Sequence, residues 1–302
     1  MSKKMWFGVE GRMRWVDTPQ SGADVSPKGF SVGGTLLNGG GYADGSFGSH
    51  KEYGFSWSGA SSRQAAGIMQ AYAAGTYGRG LIYFLDPHTL DTNVLPAHWA
   101  DPSLAIGDES PQLIRSRRLP LTGVPTANAE ANDIPAVTAV YDLADAATGF
   151  PGERDSLFIP VPPGTSLRIG AIYTRTGSGG IFAAPVDAAG TAGTATLLTQ
   201  VSPTATDIIP DEILPGAVGV RVWLGKSADG PATVSVAAMI GRIMSTLTAT
   251  ATSPKRLGPW MPGDGHTGCR FVGKPTLVRY NGVGGGQVGY ATTLTEVGAW
   301  EY

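Results

Sequence analysis

The chain has 302 residues, 42 % of them hydrophobic and only 15 % charged, with a formal net charge of −2. A sizeable core can be buried, and no basic field exists to attract a phosphate backbone, which argues against nucleic-acid binding. Glycine (44) and proline (22) exceed the usual ~7 % and ~5 % with no collagen period, so turns between many short strands are expected.

The single cysteine, Cys269, excludes an internal disulfide framework. No apolar run reaches the ~18 residues of a membrane span. The start, MSKKMWFGVEG, has two lysines but no apolar segment behind them, so no signal peptide is expected and synthesis in the cytoplasm follows.

In chain order, residues 4–16 read as one or two strands, 17–30 as a Pro/Gly/Ser/Asp loop, and 31–37 as a further strand. Asn38-Gly39-Gly40-Gly41 is a turn signal. In 49–57, Tyr53, Phe55 and Trp57 alternate with Gly54 and Ser56, the period of a half-buried strand. A helix over 61–74 follows, with Ser61 as N-cap and Gln64 completing a capping box. Ala65, Ile68, Met69 and Tyr72 form its apolar face and Gly75 ends it. LIYFL at 81–85 is a continuous apolar strand, and the prolines of 93–104 close the unit.

Residues 115–135 carry a basic knot and a polar, proline-punctuated run, read as a linker. Beyond 136, strands are expected at 136–141, 156–161, 166–173, 180–183, 195–199, 217–224, 232–244, 270–280 and 288–298, with 245–256 a long loop or a second boundary. The fold class is therefore mainly β. A β-rich (α+β) unit with one helix spans 1–120, and a β-sandwich of jelly-roll form spans 121–302. The strands after residue 270 are expected to close that sandwich.

Chemistry is sparse. Gly263-Asp264-Gly265-His266-Thr267-Gly268 fits G-x-G-x-x-G by letter, but a proline turn precedes it and a strand follows, where a dinucleotide site needs a strand before and a helix after. GVRVWLGKS at 219–227 has five residues between its glycines where a P-loop has four, and a strand runs through the gap. Asp264, His266 and Cys269 lie within six residues and offer a metal or thiol–imidazole pair; backbone hydrogen bonding in a loop is the plainer role. Asp142, Asp145, Glu153, Asp155, Asp207, Asp211 and Glu212 sit at turns, where capping is their ordinary role. No nucleophile signature is present, so no catalytic residue, metal or cofactor is expected. The aromatics Tyr42, Phe47, Trp223 and Trp300 are candidates for contacts between copies or for stacking on a glycan, with core packing the default for each.

Several stretches resemble minor tail proteins of actinobacterial siphophages, some of them related to the distal tail protein. They are NGGGYADGSFGSHKEYGFSW, the capped helix, GLIYFLDP, NVLPAHWADP, and then GDGHTGCRF, GKPT and GYATTLTEVGAW. The likeness covers about residues 1–104 and 258–302; the section from about 120 to 245 shares only composition. The resemblance implies a virion protein of the tail tip and baseplate, with an assembly unit carrying one helix and a sandwich that is often galectin-like. It further implies a non-catalytic role and cyclic self-assembly as a trimer or hexamer. The implied partners are tail-tube, baseplate-hub and other minor tail proteins. A glycan-binding role in host adsorption on the same particle is the alternative, and a cell-wall hydrolase is a weaker third.

Overall fold

A computed structural model describes residues 4–19, 24–28, 31–35, 41–45, 50–58, 60–85, 92–101, 118–122, 138–143, 148–152, 155–201, 211–213, 218–245, 260–273, 276–279 and 288–297, with residues 146 and 216. The N-terminal part contains β1 (Lys4–Val9), β2 (Arg12–Asp17), β3 (Asp24–Lys28), β4 (Ser31–Thr35), β5 (Gly41–Gly45), β6 (His50–Trp57), α1 (Ala60–Ala73), β7 (Ile82–Leu85) and α2 (Ala97–Ala100). The middle contains β8 (Arg118–Thr122), β9 (Thr138–Asp142), β10 (Leu157–Pro160), β11 (Thr165–Thr176), β12 (Gly179–Val186), β13 (Thr196–Leu197), β14 (Gln200–Val201), β15 (Asp211–Ile213), β16 (Gly219–Lys226) and β17 (Thr233–Ser245). The chain ends with β18 (Cys269–Phe271), β19 (Thr276–Arg279) and β20 (Val288–Glu296). The mainly β architecture is the one expected from composition.

An eight-stranded sheet runs β2-β1-β7-β18-β20-β6-β3, with β19 also on β20. Alternation along its strands gives each face its own core. Met5 and Phe7 of β1, Tyr53, Phe55 and Trp57 of β6, Ile82 and Phe84 of β7, and Tyr290 and Leu294 of β20 point to one side. There α1 covers them with Ala65, Ala66, Met69 and Tyr72. Trp6, Tyr83 and Leu85 point to the other side and join the core of the middle region. The strand β7 is thus buried on both faces, which is why its sequence is continuously apolar.

The helix ends as expected. Gly75 has φ +74°, Thr76 N–H donates to Ala71 O and Gly75 N–H to Tyr72 O, both at 2.9 Å. These are the two bonds of a Schellman stop, which needs a left-handed residue at the position glycine fills. The start differs: the helix begins at Ala60, so Ser61 lies within it and is not the N-cap.

The middle region has a four-stranded sheet, β10-β16-β12-β13, and a six-stranded one, β14-β11-β17-β9-β8 with β15 on β11. Leu157, Ile159, Val220, Val222 and Ile181 of the first sheet share one buried cluster with Leu167, Ile169, Val234 and Val236 of the second. β4 and β5 form a separate hairpin.

Three expectations change. Within the expected loop 17–30, β3 pairs with β6. Within the expected linker 115–135, β8 pairs with β9. The C-terminal strands do not close the middle sheets: β20 pairs with β6 over Tyr290–Thr295, and β18 pairs with both β20 and β7. The physical reason is burial, since Tyr290 and Leu294 complete the apolar face beneath α1 that β6 and β7 leave unfinished. Sheet membership changes between β7 and β8 and changes back between β17 and β18. The expected loop 245–256 lies outside the described residues apart from Ser245, the last residue of β17.

Candidate functional site

A cleft of about 720 Å³ opens where the eight-stranded sheet meets the four-stranded one. Its walls are the β1–β2 turn, the segment Gly75–Leu81 behind α1, and Ser156, Phe158 and Arg221 from β10 and β16 with their approach. The turn at Gly11 packs against the backbone of Ala189 and Gly190. That opposing loop is held by Asp187, whose Oδ1 accepts from the N–H of Ala189 and of Thr191, each at 2.8 Å.

The floor is an ion pair. The Arg221 guanidinium, with 4 % of its side chain exposed, meets Glu10, 13 % exposed. Nε donates to Glu10 Oε1 at 2.8 Å, and Nη2 donates to Glu10 Oε2. Nη1 lies within hydrogen-bond reach of Ser156 O at 3.1 Å and Ser156 Oγ at 2.9 Å. The guanidinium also lies 5.7 Å from the Phe158 ring centroid. A buried arginine needs such company because an unpaired charge out of water is costly. Trp6 Nε1 donates to Val218 O at 3.1 Å and adds a second polar link between the same two layers.

The loop Gly263–Gly268 is architectural. Asp264 N–H donates to Asn93 O at 2.8 Å and Gly265 N–H to Leu95 O at 3.0 Å. A Cβ on Gly265 would lie 1.9 Å from Val94 O, and one on Gly263 2.4 Å from Leu95 O. These glycines therefore admit a second backbone, and the two amides are already committed to protein carbonyls. Behind them Asn93 is fully buried. Its Nδ2 donates to Met239 O (3.1 Å) and Met261 O (2.9 Å), while Oδ1 accepts from Gly241 N–H (2.9 Å) and Leu95 N–H (3.3 Å). That side chain ties β17 to the glycine loop.

His266 and Cys269 do meet, with Sγ 3.8 Å from Nδ1. Nδ1 accepts from Gly268 N–H at 3.2 Å, and Nε2 lies 3.1 Å from Phe84 O and 3.4 Å from Phe84 N. The ring stacks on Phe84 at 4.2 Å between centroids. Burial lowers the His266 pKa to about 4 and raises the Cys269 thiol well above its usual value. Both groups are neutral at pH 7, so no thiolate–imidazolium pair forms. Among the described residues no group of three or more His, Cys, Asp or Glu side chains is arranged to hold a metal.

Of the carboxylates expected at turns, Asp142, Asp211 and Glu212 lie instead on strands, where strand pairing sets their place. Asp211 accepts from the N–H and, at 3.0 Å, the hydroxyl of Thr199; Glu212 Oε1 accepts from Ser166 Oγ at 2.7 Å. Asp142 and Asp155 lie on different elements, at the end of β9 and just before β10. Asp145, Glu153 and Asp207 lie outside the described residues.

Of the four aromatic candidates, Trp223 and Tyr42 lie among the described residues. Trp223 is fully buried: it stacks on Phe182 at 5.9 Å, meets Phe150 edge-on at 5.3 Å, and donates Nε1–H to Gly149 O at 3.1 Å. A ring so enclosed presents no face to a sugar, and Phe150, 40 % exposed, is the aromatic at that surface. Phe47 and Trp300 lie outside the described residues; Tyr42 lies in the β4–β5 hairpin. Sequence reasoning missed Glu10, Arg221 and Asn93, because their partners stand 211 and about 150–170 residues away. The one local signal was Arg221, a charge in the interior of a largely apolar strand.

Comparison of the chain with protein-family models, with curated proteins and with solved structures gives no match.

Proposed function

We propose that this chain is a structural component of a bacteriophage tail tip, a minor tail protein of distal-tail type that acts by oligomeric assembly and not by catalysis. One observation carries the reading. The two stretches that resemble tail proteins, about 1–104 and 258–302, lie far apart in sequence but supply all the strands of the eight-stranded sheet and its covering helix. The stretch that shares only composition supplies the other two sheets. A resemblance that follows a structural unit is better support than one scattered across it.

In this reading the eight-stranded layer is the assembly unit. Its strand order ends at β2 and β3, and Trp15 on β2 is 40 % exposed. Edge strands and exposed aromatics of this kind become buried between copies or against other tail proteins. The two sheets of the middle region, which share one core, are the outward sandwich of galectin-like or jelly-roll form. Light scattering of the purified chain tests the assembly step: a trimer or hexamer is expected, and a monomer at all accessible concentrations contradicts it.

A further inference from the structure

We infer that the cleft between the eight-stranded and four-stranded sheets is a binding site for a small anionic molecule of the size of a sugar phosphate or sugar acid. This goes beyond the tail-tip reading and does not rest on it.

The charge of the cleft is opposite to that of the molecule. The chain carries a formal net charge of −2. The residues that line the cleft include three arginines, Arg12, Arg79 and Arg221, and one acidic residue, Glu10. Glu10 is committed to Arg221 through two hydrogen bonds. Arg12 and Arg79 are exposed, and among the described residues no carboxylate forms an ion pair with either. Among the residues that line the cleft, the charge left unpaired is therefore positive, and a concave wall concentrates its field.

Shape and chemistry agree with the charge. The volume of about 720 Å³ falls within the ~300–1,000 Å³ of small-molecule sites. Arginine is the side chain whose planar fork matches carboxylate and phosphate oxygens two at a time. Thr76 adds a hydroxyl to the same wall, and Tyr83 and Phe158 make its inner part apolar. The Glu10–Arg221 pair braces the floor without neutralising the rim. A sugar carrying one oxyanion meets each of these surfaces.

Isothermal titration of the full chain with glucose 6-phosphate, glucuronic acid and uncharged glucose tests the site. At least one of the two anionic sugars is expected to bind while glucose does not, and the comparison of the two shows whether phosphate or carboxylate is preferred. Arg12→Gln and Arg79→Gln are each expected to weaken binding about tenfold, the loss of one charge-assisted contact. Both side chains are exposed, so the melting temperature should not move. Should either variant fail to fold, the other carries the comparison. Absence of binding by both anionic sugars overturns the inference, as does equal binding of glucose or binding that survives the double variant.

Discussion

His266 shows how a residue with catalytic credentials becomes structural. Its ring is enclosed by Tyr53, Tyr83 and Phe84, and its depressed pKa follows first from that burial. Between the ordinary value of 6.5 and about 4, the unfolded chain binds the proton and the folded chain does not. Stability therefore falls as pH drops through that window, by on the order of 3 kcal/mol from this group. Urea unfolding of the wild type and of His266→Gln across pH 7 to 4 should show a steeper loss in the wild type; parallel curves contradict the assignment. Two glycines give a matched pair. Gly265→Ala places a methyl against Val94 O and should cost several kcal/mol or prevent folding, whereas Gly67→Ala, with nothing within 4 Å on α1, should stabilise by up to ~1 kcal/mol. Thermal melts of the two variants check both signs.

At the scale of elements, the β1–β2 turn is fastened to β16 by Glu10 and Arg221. Removing the carboxylate takes a two-point ion-pair contact from a buried guanidinium, so Glu10→Ala should destabilise by about 3 kcal/mol in denaturant titration, and an effect below ~1 kcal/mol contradicts a buried pair. Local elements were legible where a single physical signal governed them. The alternation Tyr53-Gly54-Phe55-Ser56-Trp57 gave β6 and the face it buries, and Gly75 gave the end of α1. The start of α1 was off by a residue, because Ser61 is as acceptable inside the first turn as before it. β3 and β8 were missed because proline and polar residues mark turns and edge strands alike; Pro27 stands in β3 and Pro120 in β8. Core packing was the default reading for Trp223, and the pairing of β16 with β10 and β12 is what encloses it, leaving no ring face for the glycan alternative.

For the whole molecule, what the sequence could not show is which strands sit side by side. The period of a strand says which residues share a face but not which sheet receives it, and β18 to β20 return across about two hundred residues to complete the layer beneath α1. A chain ending at residue 257 would lose strands from the interior of the eight-stranded sheet and expose Phe55, Trp57 and Phe84. It should show no cooperative melt of that layer and little helical signal; a cooperative melt with the helix intact contradicts the sheet order. The cleft's residues were individually visible, yet their meeting depends on two sheets closing on each other, which no local pattern records. The role proposed for this chain is most directly tested by a cryo-electron microscopy map of intact particles of the phage proposed to encode it. A closed ring of copies at the tail tip, joined through the eight-stranded layer, is the predicted result, and particles that lack the chain altogether would contradict it.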